Sequence, residues 1–183
     1  MPFALPDDKS VNFGPETILE RPALAARVGQ IANAWTIFEH GFARTYAFMI
    51  ARQAGNAPRS GTGLLTSNPA GLQIFDTIGS FRLKQELFVL LLKVLVEERE
   101  PDVAEFYAKV AAPRIVLAKM ARDKIERGAW GVCSDYPDGI VRAPLVGQSE
   151  VYLENDLIDE LTTIIEATTV FEQLRSKLFD VFV

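Results

Sequence analysis

The segment PALAARVGQIANAWTIFEHGFARTYAFMIA, residues 22–51, decides the fold. Its apolar side chains fall at Val28, Ile31, Trp35, Phe38, Phe42 and Met49, alternating steps of three and four broken only by Thr45. That is the period of one helix face, so the spacing predicts a single long amphipathic helix over 22–51. Pro22 opens it at a first-turn position, where the missing N–H has no partner to lose. Before it, Pro2, Pro6 and Pro15 with little periodicity predict an extended arm over 1–21, pinned to the body by Phe3, Leu5, Val11 and Phe13. After it, Gly55, Pro58, Gly61, Gly63, Pro69 and Gly71 among small polar residues predict a long loop over 52–71.

Further along, Phe75, Ile78, Val89, Leu92 and Val96 trace a second helix over 70–98, with Arg82 and Gln85 interrupting the stripe where polar groups need partners. Phe106, Val110, Leu117, Met120 and Ile125 trace a third over 102–127. Pro113 predicts a kink or break inside it, and Gly128 a stop. Trp130 to Cys133, the turn Asp135-Tyr136-Pro137-Asp138-Gly139, and Ile140 to Arg142 read as a small hairpin over 130–143. A fourth helix over 155–179 carries Leu157, Leu161, Ile164, Phe171, Leu174 and Leu178, with Asp159 three residues after Asp156 resembling a capping box. Four helices with one apolar stripe each predict an all-α fold, a four-helix bundle with a small β-hairpin inserted before the last helix.

Most aromatic residues read as packing groups: Trp35, Phe38, Phe42, Phe75, Phe81, Phe88, Phe106 and Phe171. Phe179, Val181, Phe182 and Val183 give an apolar end that either folds back or docks on a partner, and a symmetric homodimer is the commonest way to hide such a surface.

Counting removes several function classes. Among 183 residues, 19 Lys and Arg stand against 24 Asp and Glu, a formal charge of -5, so any nucleic-acid site must be local. A single cysteine, Cys133, excludes an internal disulfide, and its expected state is inert burial. A single histidine, His40, excludes the paired Glu-x-x-His of a di-iron bundle and the two histidines of a metalloprotease helix. No metal and no cofactor is expected. Gly61-Thr62-Gly63 lacks the Gly-Lys-Ser/Thr of a phosphate loop. The longest strongly apolar run, Leu87 to Leu92, is far short of a membrane span, so a cytoplasmic protein without membrane contact is expected.

What chemistry the chain carries is concentrated in Ala121-Arg122-Asp123-Lys124-Ile125-Glu126-Arg127-Gly128-Ala129-Trp130-Gly131. Lys119, Arg122, Lys124 and Arg127, with Arg114 further back, form the densest basic group in an acidic protein, a candidate anion site. Arg122 with Glu126, and Asp123 with Arg127, are each four apart, so the same group can also close on itself as solvated ion pairs. Glu39 reaching Arg122 across the bundle is a further alternative.

An arginine, a polar residue, several intervening positions and then Gly-x-Trp-Gly at a helix end resembles the Arg-x(4 to 6)-His segment of HEPN domains, which in bacterial proteins often reads Arg-Asn-x-x-x-His-Gly-x-Trp. Trp35 followed by Glu39 on the first helix is similar too. The likeness covers 22–180 as a layout, while the motif itself spans ten residues. It implies a helical bundle that dimerises with the two motif segments facing each other, commonly a metal-independent ribonuclease acting in phage defence or as a toxin paired with an antitoxin. In that chemistry the arginine neutralises the scissile phosphate and the histidine moves a proton, a division that suits a permanent guanidinium and a titrating imidazole.

The sequence departs from the pattern at the proton carrier. Arg127 stands where histidine would, and a guanidinium does not release a proton at neutral pH; Asp123 replaces the asparagine-like residue and adds negative charge. Three functions follow as expectations. The first is a non-catalytic HEPN-like dimeric module binding RNA, a nucleotide or a protein through Arg122, Arg127, Lys119 and Lys124. The second is an active ribonuclease using Arg122 with His40 or Glu39 as substitute proton carrier, and the third a purely structural helical dimer.

Overall fold

The computed structural model describes residues 1–14, 16–53 and 69–182. Most of the chain is helical, and the remainder includes a four-stranded antiparallel sheet in the order β1-β4-β3-β2. In chain order these are β1 (Phe3–Ala4), α1 (Pro22–Gln53), α2 (Pro69–Thr77), α3 (Phe81–Leu92), α4 (Pro101–Phe106), α5 (Ala112–Glu126), β2 (Ala129–Gly131), β3 (Gly139–Ala143), β4 (Glu150–Leu153) and α6 (Glu154–Phe182). A 3-10 turn covers Thr17–Glu20, and π turns cover Lys93–Glu97 and Tyr107–Ala111. The chain divides into two compact units, Met1–Thr36 with Ile115–Glu166 and Ile37–Arg114 with Ala167–Val183.

In the first unit the expected hairpin forms, with Ala129 opposite Ala143 and Gly131 opposite Val141. The sheet is larger than expected because β4 lies directly ahead of α6 without a turn signal, and the arm supplies β1 against β4. The arm is thus tied to the sheet beyond β1 as well: Leu5 is buried with Cys133, Val141 and Val151, and Asn12 bridges Val132. The last helix starts at Glu154, and its capping carboxylate is Asp156, whose Oδ2 accepts from Leu153 N–H at 2.9 Å. This is the back-reaching half of a capping box set three residues earlier than the sequence suggests.

In the second unit α1 presents Phe38 and Phe42 to Phe75, Phe81, Phe88 and Phe171, with Phe42 fully buried and its ring centroid 4.7–6.1 Å from the other five. Thr45, the one polar residue of the α1 stripe, is buried and donates its hydroxyl to Gly41 O at 3.0 Å, so it enters the core already satisfied. Phe179 and Phe182 pack on Phe48, which places the apolar C-terminal turn against its own unit.

Two helical expectations need correction. The single helix over 70–98 is broken at 78–80, where Ser80 caps α3 by accepting from Leu83 N–H at 3.2 Å. The break shifts the helical phase: Phe88 turns inward in place of Val89, ahead of Leu92 and Val96, which are buried as expected, while Arg82 points to solvent and pairs with Glu86 rather than interrupting a core stripe. At Pro113 the third helix is interrupted as expected: a π turn over Tyr107–Ala111, closed by Ala112 N–H to Tyr107 O, separates α4 from α5 and accommodates the ring and its missing donor. The inward stripe there is Val103, Tyr107, Ala111, Ile115, Ala118, Ala121 and Ile125, and Val110, Leu117 and Met120 face solvent. Of the loop expected over 52–71, residues 52–53 belong to α1 and 69–71 to α2; the rest, with Gly61-Thr62-Gly63, lies outside the described residues, as does Val183.

Candidate functional site

The basic run closes α5, and its charges converge on one carboxylate. Asp123 lies 2.5 Å from Lys119 Nζ, 3.1 Å from Arg122 Nη1 and 3.8 Å from Arg127 Nη2. Helical spacing explains the convergence, since residues four apart share a face and Arg122 is adjacent. Arg122 places its other terminal nitrogen, Nη2, 2.5 Å from Glu126 Oε2, and its Cζ lies 5.7 Å from the centroid of the buried Trp35 ring. Lys124 reaches Glu160 of α6 at 2.7 Å. Lys119, Arg122, Lys124 and Arg127 therefore each meet a carboxylate.

These contacts set the ionisation. Burial raises the Asp123 carboxyl, but hydrogen bonds from Lys119 and Arg122 and the charges of Lys119 and Arg127 outweigh it, holding the group below its ordinary range. Burial likewise works against the Arg122 charge, and the bonds to Asp123 and Glu126 more than compensate, so its pKa is raised. Arg122 Nε is buried without a hydrogen-bond partner, a polar atom left over once the two terminal nitrogens are committed.

The rest of the motif is explained by the junction between α5 and the sheet. Trp130 Nε1 donates to Ile125 O at 3.0 Å, satisfying a carbonyl of the last helical turn, and its ring meets Tyr152 edge-on at 5.5 Å. A Cβ on Gly128 would lie 2.9 Å from Ala143 O, and one on Gly131 would lie 2.5 Å from Asn12 O. Both glycines are needed for backbone to approach backbone. Arg142 completes the junction: Nη1 pairs with Glu150 at 3.0 Å and Nη2 donates to Arg127 O at 3.1 Å. Sequence reasoning missed Arg142 and Glu160 because their partners lie 15 and 36 positions away.

The candidate proton carriers, Glu39 and His40, belong to the second unit. In the second unit Glu39 pairs with Lys84 at 2.8 Å, and the Lys84 ammonium sits 4.1 Å from the Phe75 ring centroid. Within the second unit Glu39 is paired with Lys84, and within the first Arg122 is paired with Asp123 and Glu126. His40 is exposed on α1. Among the described residues, no group of three or more His, Cys, Asp or Glu side chains could hold a metal ion, and no helix is long and apolar enough to cross a membrane. An open cleft of about 500 Å³ in the first unit is lined by Glu20, Arg21, Pro137, Asp138 and Glu154 among others, none of them from the motif segment.

A phosphate entering at Arg122 would meet a guanidinium whose two terminal nitrogens already hold Asp123 and Glu126. The protein matches no family model, no curated protein and no solved structure.

Proposed function

We propose that the chain is a non-catalytic helical binding module, HEPN-like in its bundle layout, that engages a protein partner and leaves its arginine cluster masked. The observation that carries this reading is the state of α5. Both terminal nitrogens of Arg122 are held by Asp123 and Glu126, while Val116, Leu117 and Met120 on the same helix are each about half exposed. Adjacent exposed aliphatic groups on one helix favour an apolar contact, and neutralised guanidinium groups disfavour an anionic one. The absence of an imidazole from the motif argues in the same direction, because two arginines bind phosphate but do not shuttle protons.

Two measurements test it together. Purified protein incubated with single-stranded RNA and chelator should leave the RNA intact. A photo-crosslinking residue at Met120 in the native host should give a discrete protein adduct, abolished by Leu117→Glu and not formed from the exposed Thr162. RNA cleavage that stops with Arg122→Ala, or identical adducts from positions 120 and 162, would overturn the proposal.

A further inference from the structure

The phase reset at Ser80 has a second effect, on the outer side of α3. Leu83, Leu87, Leu90 and Val94 follow one another at steps of four, three and four, the spacing of a coiled-coil seam. Leu83, Leu90 and Val94 are 45%, 55% and 62% exposed and Leu87 is half-buried, whereas Phe88, Leu92 and Val96 fill the inner side. The helix is therefore apolar on two sides, and only one of them is covered by its own unit. The seam runs into the π turn Lys93–Glu97, whose first two residues are Lys93 and Val94, and ends there: Glu97, Glu98 and Arg99 are exposed.

We infer that this seam pairs with the same seam of a second copy, antiparallel about a two-fold axis. The seam is aliphatic in either orientation, and the charges beside it favour the antiparallel one. Leu83 then faces Val94 of the second copy and Leu87 faces Leu90, so each larger group meets an aliphatic partner. The positions flanking the seam on one side are Glu86 and Lys93, both exposed. In an antiparallel pair these flanking positions face each other, which sets Glu86 against Lys93 of the second copy twice over. A parallel pair would instead set Glu86 beside Leu91 and lose both ion pairs. Three helical turns bury less than the ~1,200 Å² of a standard interface, so the association is weak, in roughly the micromolar range. The seam uses no residue of α5, and the two proposals stand or fall independently.

Sedimentation equilibrium over a concentration series tests it on the full chain. The wild type should show a monomer–dimer equilibrium. Leu90→Glu should be monomeric with an unchanged far-UV spectrum, because the side chain it replaces faces solvent, and Leu83→Glu serves as the second variant. Lys93→Glu should weaken the dimer about tenfold at low salt by turning two attractions into two repulsions, and Glu86→Lys combined with Lys93→Glu should restore it. A wild type that remains monomeric throughout, or a dimer indifferent to Leu90→Glu and to the charge exchange, overturns the inference.

Discussion

If the arginine cluster is masked by its own carboxylates, removing them should create an anion site where the wild type has none. Around the end of α5, Lys119, Arg122, Lys124 and Arg127 supply four positive charges and Asp123, Glu126 and Glu160 three negative ones, a balance of one. Asp123→Asn with Glu126→Gln raises that balance to three while keeping side-chain shape and hydrogen-bonding capacity. Arg122 still rests on Trp35, so the freed guanidinium is held in place when a phosphate arrives. Three phosphates neutralised on a single strand correspond to a salt slope of about −2 in log K against log salt, where a single net charge gives a slope below about −1 in magnitude. The assay is fluorescence anisotropy of a labelled single-stranded RNA over a potassium chloride series. At low salt the double variant should bind about tenfold to a hundredfold more tightly than the wild type, and adding Arg122→Ala should remove the gain. Glu154→Gln with Glu172→Gln, which neutralises two carboxylates paired with Arg27 and Arg175, controls for the change of two in overall charge. Equal affinity and equal slope in the double variant and the wild type would refute the reasoning, as would a steep slope in the wild type.

Asp123→Asn alone should cost about 1–2 kcal/mol at pH 7, the sum of several half-exposed charge contacts, measured by urea unfolding. Because the folded-state pKa of Asp123 is lowered, its contribution is complete above the unfolded value near 4 and is lost as pH falls through the folded value. The difference between wild type and variant should therefore narrow below about pH 4 and stay constant above about pH 5, and a difference that widens on acidification would contradict the assignment. Phe42→Ala, which empties the centre of a six-ring cluster, should cost about 3–5 kcal/mol, and Phe42→Leu clearly less. A loss below about 2 kcal/mol in thermal or urea unfolding would mean the neighbouring rings close over the gap.

Where the sequence was informative, the information was local. The start of α1 at Pro22, the stop near Gly128, the antiparallel pairing of 129–131 with 139–143 and the burial of Phe38, Phe42, Phe75, Phe88 and Phe171 all follow from periodicity and turn chemistry within a few residues. The same holds for the pairing of Arg122 with Glu126, fixed by helical spacing as soon as the segment is known to be helical. Where α5 misled, the signal pointed outward: Val110, Leu117 and Met120 are larger than the alanines at 111, 118 and 121, and a pattern rule that weights size picks the wrong face. A helix face built from alanine is chosen by close packing against neighbours, which no window of sequence contains.

Tertiary structure decided the rest. It paired Glu39 with Lys84, brought Glu160 to Lys124, and made a sheet edge of Phe3 and Ala4. It also settled that Gly128 and Gly131 of the motif serve backbone contact with Ala143 and Asn12. The amino-acid sequence by itself determined the two long helices that became α1 and α6 and which charges sit on one turn, because both depend on dihedral preference and spacing along the chain. Which carboxylate satisfies which cation, and which apolar face goes uncovered, depended on groups tens of residues apart reaching the same place, and that is a property of the folded chain alone.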